Sequence, residues 1–251
     1  MEWRDRDGIR WLEAELSGGR AAFSTRLGGV SAAPFDSLNL GLLTEDEEAA
    51  VAANRLRLAA ALRFSPENVT FARQVHGTDL LQHDASPFPC SLSVDSNEKA
   101  QANVTVGDGH VLRQPRGAAL VFVADCLPVA LSGPDGVAMV HAGWRGLAGG
   151  ILAAGAEAVG ATSAAIGPGI GPCCYEVGEE VLSAFSRLGD GIAAGRMLDL
   201  PEVTRRLLAR AGVEKVESAG ICSSCEEELF FSHRRDRGRT GRQAGIAWVE
   251  G

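Results

Sequence analysis

Three side chains of this 251-residue sequence combine the types and spacing that chemistry needs. They are Cys126 in Val123-Ala-Asp-Cys126-Leu-Pro-Val129, His141 in Val140-His-Ala-Gly-Trp-Arg-Gly146, and His76 in Arg73-Gln-Val-His-Gly-Thr78. Between the first two lies Ser132-Gly-Pro-Asp-Gly136, a turn signal flanked by apolar runs, which predicts an antiparallel hairpin. The midpoint of positions 126 and 141 falls inside that turn. Cys126 and His141 are therefore expected directly opposite each other, with Cβ atoms roughly 4.5–5.5 Å apart. His76, at the end of another apolar run, is the candidate third donor. Thiolate and imidazole are zinc ligands, and three protein donors leave a fourth position for water or substrate, the catalytic type of site that lowers the pKa of bound water to about 7. The same atoms fit two other readings: Cys126 as a nucleophile with His141 as its base, or a plain core cysteine.

Asp108 in Gly107-Asp-Gly-His110 precedes the strand expected to lead to Cys126. A carboxylate there is a candidate general acid or base, or a group that orients a ligand; the alternative is a turn aspartate. Cys222-Ser-Ser-Cys225 has the spacing of half a zinc knuckle or a redox pair, but no second CxxC exists, which favours a structural role. Glycines 167, 169 and 171 could cradle an anion, although Pro168 and Pro172 lack backbone donors. His83, His110 and His233 have no ligand spacing and are expected to be solvated or hydrogen-bonded.

These groups need elements to hold them. Residues 20–25 read as a strand entering the loop Arg26-Leu-Gly-Gly-Val-Ser31, and Thr44-Glu-Asp-Glu47 reads as a capping box opening a helix through about Arg63. Strands are expected near 69–75, 118–125, 127–132 and 136–141. Leu147, Ile151, Leu152 and Val159 follow a helical stripe. A strand near 163–167, helices near 177–188 and 201–211, and strands near 215–221 and 244–249 complete the chain. Residues 84–105, polar and without period, read as a long surface insertion. Hairpins in the middle and alternating strands and helices later favour an α/β (α+β) mixed sheet with packed helices over a doubly wound parallel fold.

The apolar content of 45% can bury a substantial core, and no polar linker divides the chain, so one domain over 1–251 is expected. The first residues, Met1-Glu-Trp-Arg-Asp-Arg-Asp, carry charge where a signal peptide needs an apolar stretch, and nothing later approaches a membrane span, which predicts a cytoplasmic location and no membrane partner. Six cysteines are too few for a disulfide scaffold, and Cys173-Cys174 together with Cys222 and Cys225 suggest reduced thiols. A net charge of −8 disfavours a nucleic-acid partner. The arginines at 234, 235, 237, 239 and 242 suit a solvated loop or a small anion.

At Asp125-Cys-Leu-Pro-Val129, His141-Ala-Gly-Trp-Arg-Gly146 and Gly167-Pro-Gly-Ile-Gly-Pro-Cys-Cys-Tyr-Glu-Val-Gly178, the chain resembles the laccase-domain family. That family was once labelled multicopper polyphenol oxidase and is now associated with purine nucleoside phosphorylase activity. Phe23-Ser-Thr-Arg-Leu-Gly-Gly-Val-Ser31, Asn39-Leu-Gly41, Gln74-Val-His-Gly77, Phe230-Phe-Ser-His-Arg-Arg-Asp236 and Thr240-Gly-Arg-Gln243 extend the likeness over nearly the whole chain. The resemblance implies a single-domain sandwich of the cytotoxic necrotizing factor type, with zinc on His76, Cys126 and His141. It implies phosphorolysis of adenosine, inosine and S-methyl-5'-thioadenosine, with adenosine deamination; some bacterial relatives are described as peptidoglycan editing factors. The chain departs from the family pattern at Gly169, often Cys, at His233, often Tyr, and in the longer 84–105 segment.

Under this reading a nucleoside and phosphate are the small-molecule partners. Guanidinium forks match phosphate oxygens, so Arg26, Arg145 or the Arg234/Arg235 pair is expected to bind phosphate, with Arg145 favoured by its nearness to His141. Asn39 and Gln74 are candidates for hydrogen bonds to sugar or base. A multicopper oxidase centre needs many paired imidazoles, whereas the chain has five histidines and no His-x-His. A single copper with Met139 as axial ligand, and a zinc-stabilised binding module without catalysis, are the remaining alternatives.

Overall fold

The computed structural model describes residues 1–83, 105–115 and 117–251. The expected polar insertion at 84–105 lies outside the described residues apart from Thr105. Among the described residues the strands form two mixed six-stranded sheets and a small ribbon. The first sheet runs β1 (Glu2–Arg6), β2 (Ile9–Leu16), β3 (Gly19–Ser24), β14 (Gln243–Val249), β7 (Ala118–Val123), β4 (Val69–Thr70). The second runs β13 (Lys215–Ser218), β10 (Ser163–Ile166), β8 (Leu127–Gly133), β9 (Gly136–Ala142), β6 (Gly109–Leu112), β5 (Leu80–His83). Pairs β4–β7, β10–β13 and β5–β6 are parallel and the rest antiparallel. The ribbon joins β11 (Ala193–Ala194) to β12 (Met197–Leu198).

Alternation along the strands creates the layers. In β8, Leu127, Val129 and Leu131 face α2 (Trp144–Gly149), α3 (Ile151–Val159), α4 (Glu179–Phe185) and α5 (Leu200–Arg210), while Ala130 faces the other sheet. In β9, Ala138 and Val140 join the helix side, and Val137 and Met139 meet Phe23, Val121 and Ala247 between the sheets. The outer face of the first sheet is covered by α1 (Glu48–Leu62) through Leu58 and Ala59, against Ile9, Trp11 and Ile246. The order is helix, sheet, sheet, helix. Each fully buried Leu, Phe or Met side chain stabilises it by about 1.5–3 kcal/mol. Gly245 permits the close approach of the sheets: a Cβ there would lie 2.4 Å from Pro128 Cβ.

Several local expectations need correction. The Thr44-Glu-Asp-Glu47 capping box does not form. Helix α1 starts at Glu48, its N-cap Glu47 makes no side-chain capping bond, and Thr44 donates instead to the Gly41 carbonyl at 2.7 Å. Asp46 is engaged by Ser31 at 2.6 Å and Asn39 at 2.9 Å, so these side chains fasten the preceding loop rather than the helix. The stripe from Leu147 to Val159 is interrupted at Gly150, whose φ of 95° separates α2 from α3. The strand expected over 69–75 ends at Thr70, and that over 215–221 ends at Ser218. The helix expected over 177–188 is α4 followed by a 3-10 turn at Ser186–Leu188. Strands β1, β2, β5, β6, β11 and β12 lie outside the strands that the sequence predicts. In β1 the mostly exposed sequence EWRDR hides its pairing with β2 behind charge.

Candidate functional site

The hairpin forms around the expected turn, but its register is shifted. Gly133 pairs with Gly136 across a two-residue Pro134-Asp135 loop, and His141 lies opposite Pro128 rather than Cys126. The shift is two residues, and side chains alternate with a period of two, so the shift preserves the face. Cys126 and His141 therefore remain on the inter-sheet side, as diagonal neighbours at the end of the sandwich. Continuing the register puts Gly143 across from Cys126. A Cβ at 143 would fall 3.0 Å from His76 Cδ2 and 3.1 Å from Cys126 Sγ, so the missing side chain is what lets three donors converge.

One ligand atom each from His76, Cys126 and His141 lies within 4.8 Å of the others. The two imidazole rings stand edge to face, with centroids 4.8 Å apart. Asp108 organises them. Fully buried, it accepts His141 Nδ1 at 2.8 Å and the His76 N–H at 2.9 Å on Oδ1, and the Val75 and Gly77 N–H groups at 3.0 and 2.7 Å on Oδ2. His76 sits at φ 60°, a left-handed conformation that this cradle of N–H groups holds in place. With Nδ1 committed to Asp108, His141 turns Nε2 toward Cys126, the carboxylate–imidazole arrangement that fixes a metal ligand's tautomer.

The electrostatics follow from the geometry. Burial raises the Asp108 pKa, but the hydrogen bonds from His141, Gly77 and Val75 outweigh it and hold the carboxyl at about 2. Burial opposes the Cys126 thiolate, yet His141 and His76 bring its pKa down from 9.0 to about 6. Burial likewise opposes a charged His141, and the Cys126 and Asp108 charges lift it from 6.5 to about 9. A soft thiolate and two imidazoles at this spacing suit a zinc-type ion with an open side, so the residues fit such a group.

That open side is a cavity of about 430 Å³. Its apolar wall includes Leu42, Phe122, Ile170 and Tyr175, and its polar groups include Arg73, Gln74, His233, Arg234 and Arg242. Arg234 packs over the Tyr175 ring at 5.3 Å and donates to the Glu176 carbonyl at 2.8 Å. Arg242 is anchored by Nη1 on the Thr240 and Gly241 carbonyls at 3.0 and 2.8 Å. Burial lowers its pKa, and the Cys126 and Asp125 charges work the other way. Burial also pushes Tyr175 up to about 12, with the Cys126 charge adding to the effect, so its phenol stays a neutral donor.

The remaining expected residues have other placements. Gln74 lines the cavity with both ends of its amide engaged by Phe122, donating to its carbonyl at 2.8 Å and accepting its N–H at 2.7 Å. Asn39, buried behind the wall, accepts the Arg242 N–H at 2.8 Å and the Gly41 N–H at 3.0 Å, so it positions Arg242 from behind. Arg26 does not line the cavity; it donates to the Asp36 and Glu227 carbonyls at 2.6 and 3.0 Å and stacks on Phe231. Arg145 also lies off the cavity wall, exposed and packed over Trp144 at 4.3 Å. Arg235 pairs with Asp236 at 2.8 Å and caps the Ser223 and Phe230 carbonyls. His83 Nε2 and His110 Nδ1 are 2.9 Å apart, and His110 is fully buried.

Residue types alone gave no role to Tyr175 or Asp125. Asp125, at φ 92°, accepts Ser223 Oγ at 2.8 Å and the Arg234 N–H at 2.7 Å, fixing the turn that presents Cys126. Arg242 carried a signal as the last member of the arginine cluster. Cys173, Cys174, Cys222 and Cys225 form a second group of potential ligand atoms within 4.8 Å of one another. Among the described residues no helix is long and apolar enough to cross a membrane.

A Shigella flexneri protein named purine nucleoside phosphorylase YfiH is 38% identical over 242 residues, spanning 91% of this chain and 93% of that protein. The crystal structure of the Bacillus licheniformis hypothetical protein YfiH superposes with a TM-score of 0.86 at 32% identity, covering 99% of both chains. YlmD from Geobacillus stearothermophilus gives 0.84 at 34% identity, covering 99% and 98%. Residues 20–250 match the family described as multi-copper polyphenol oxidoreductase laccase. A match over that share of the sequence, with relatives of this fold and identity, makes the chain a member of that family.

Proposed function

We propose that this protein is a zinc-dependent purine nucleoside phosphorylase, with zinc on His76, Cys126 and His141 and with adenosine, inosine and S-methyl-5'-thioadenosine as substrates. The observation that carries the reading is the thiolate and two imidazoles lining one end of a nucleoside-sized cavity walled by Tyr175, Phe122, Arg234 and Arg242. The naming of its relatives as purine nucleoside phosphorylases supports the reaction class. Phosphorolysis forms a bond from a phosphate oxygen to ribose C1′, breaks the N-glycosidic bond, and leaves the electron pair on the purine, which takes up a proton.

The chain's own groups are suited to hold both partners. Tyr175 and Phe122 offer aromatic surface to a purine and exclude water from it. Arg242 and Arg234 present guanidinium forks to the phosphate dianion. They take this role over Arg145, which lies off the cavity wall. Asp108 keeps the proton on His141 Nδ1 and so keeps Nε2 free to act as a ligand. When held by His76, Cys126 and His141, zinc would supply Lewis acidity and lower the pKa of water, the chemistry that adenosine deamination also needs.

A second reading rests on the Asp108–His141 contact of 2.8 Å and the lowered Cys126 pKa, which also describe a nucleophile, base and orienting acid. On that reading the protein is a cysteine-type hydrolase that edits peptidoglycan precursors. Incubating the purified protein with inosine, with and without phosphate, tests the proposal. Ribose 1-phosphate formed only with phosphate, and lost after metal removal, is the expected result. Turnover indifferent to phosphate, or undiminished without metal, overturns it.

A further inference from the structure

The second cysteine group stands apart from the cavity and contributes no residue to its lining. Cys173 and Cys174 sit on one turn, where Cys174 and Tyr175 both donate N–H to the Gly171 carbonyl at 3.1 Å. Cys222 and Cys225 sit on another, closed by Cys225 and Glu226 N–H groups on the Cys222 carbonyl at 3.2 and 3.1 Å. The turns are laced together: Gly169 and Cys222 form a β-bridge, and Ser223 donates N–H to Gly169 at 2.9 Å. This lacing brings Sγ of Cys225 to 3.4 Å from Cys173 and 3.5 Å from Cys174.

We propose that Cys173, Cys174, Cys222 and Cys225 form a second metal site, a tetrathiolate that holds a structural zinc ion. A tetrahedron with Zn–S bonds of about 2.3 Å has sulfurs about 3.8 Å apart, and the four sulfurs here already lie within 4.8 Å of one another. All four positions are filled by protein, which is the closed, structural kind of zinc site, unlike the open three-donor group at His76. The second shell is present too. The Gly171 N–H donates to Cys222 Sγ at 3.2 Å, and the Ser224 and Cys225 N–H groups also point at that sulfur, stabilising thiolate charge. A Cβ at Gly171 would lie 3.3 Å from Cys222 Cβ and 3.5 Å from Cys173 Sγ, so glycine keeps the space between the two turns clear. Cys173 and Cys225 are exposed, which gives an ion a path from solvent. The vicinal pair Cys173-Cys174 thus takes the place of the second CxxC that the sequence lacks.

The site has a structural consequence. Tyr175, on the cavity wall, directly follows Cys174. Ser223, directly after Cys222, bonds Asp125 beside Cys126. An ion on the four sulfurs therefore clamps two loops that carry one wall of the cavity and brace the turn presenting Cys126.

The test is zinc content per chain, by elemental mass spectrometry, of full-length protein purified without chelator. Wild type, Cys222→Ser/Cys225→Ser and His76→Ala/Cys126→Ala are compared. The expected counts are about two, one and one. After stripping and reloading with Co²⁺, the His76→Ala/Cys126→Ala protein should show intense thiolate-to-cobalt charge transfer, and its four clustered thiols should resist alkylation until chelator is added. That measurement leaves all four clustered cysteines in place, so it needs no variant at Cys173, Cys174, Cys222 or Cys225 to fold. Zinc absent from the His76→Ala/Cys126→Ala protein with its thiols alkylated at once overturns the proposal. So do disulfides mapped among the four cysteines, or iron with acid-labile sulfide in place of zinc.

Discussion

Replacing Asp108 by Asn is the sharpest probe of the His76–Cys126–His141 group, because it keeps volume and removes one acceptor oxygen. Each carboxylate oxygen accepts two hydrogen bonds, so an amide nitrogen at either position leaves two N–H donors facing a donor. At Oδ2 the losers are Val75 and Gly77, and the turn holding His76 at φ 60° loses its anchor. At Oδ1, His141 keeps a bond only by moving its proton to Nε2, the nitrogen a metal needs. A buried donor without a partner costs about 1–3 kcal/mol, so two cost about 2–6 kcal/mol. In a chain of this size each kcal/mol moves Tm by about 2–4 °C, which gives a drop of roughly 4–24 °C. Loss of an outer-shell partner lowers metal affinity about 10–100-fold. Thermal unfolding and competition against a chromophoric chelator read the two effects. Zinc affinity within about twofold of wild type and Tm within about 1 °C would refute the orienting role of Asp108.

Other consequences can be checked in parallel. In metal-free protein Cys126 should be alkylated with a midpoint near pH 6, read by peptide mass spectrometry, and a midpoint near the ordinary 9.0 contradicts the contact with His141. The signs differ within the pair: the lowered Cys126 pKa contributes stability above 9.0 that is lost as pH falls through about 6, whereas the raised His141 pKa contributes below 6.5 and loses it as pH rises through about 9. Gly143→Ala puts a methyl 3.0–3.1 Å from His76 and Cys126, so zinc affinity should fall about tenfold or more with the fold intact; unchanged affinity removes the need for close approach there. Arg242→Ala should raise the phosphate KM at least about tenfold, the worth of one charge-assisted pair, while Arg145→Ala should leave it near wild type; the reverse order would return the phosphate to Arg145.

The hairpin was legible because Pro134-Asp135 marks its turn and both flanking strands are apolar on two faces. The register differs by two from the midpoint of Cys126 and His141 because Gly133 and Gly136 close the loop and set Pro128 across from His141. The convergence survived since a shift of two does not change the face. Strands β1 and β2 were obscured by charge and by a break in period: the apolar positions of Ile9–Leu16 switch face between Trp11 and Leu12, and Glu13 and Glu15 lie beside Arg20, which pairs with both at 3.1 and 3.3 Å. Thr44 and Asp46 show the limit of local motifs, since their side chains answer a neighbouring loop and not the helix they precede. The role of Asp108 was visible as a carboxylate near the site, but its four hydrogen bonds depend on a turn some thirty residues away in sequence. The clustering of Cys173 and Cys174 with Cys222 and Cys225 was invisible for the same reason: the Gly169–Cys222 bridge and the Gly171 N–H bond to Cys222 Sγ bring together two turns some fifty residues apart.

Anomalous diffraction at the zinc edge, from crystals grown with inosine and phosphate, tests the central claim most directly. The account predicts a zinc peak bounded by Cys126 Sγ and ring nitrogens of His76 and His141, with the nucleoside in the adjoining cavity. Crystals of active protein with those three side chains pointing apart, or with no anomalous density between them, would contradict it.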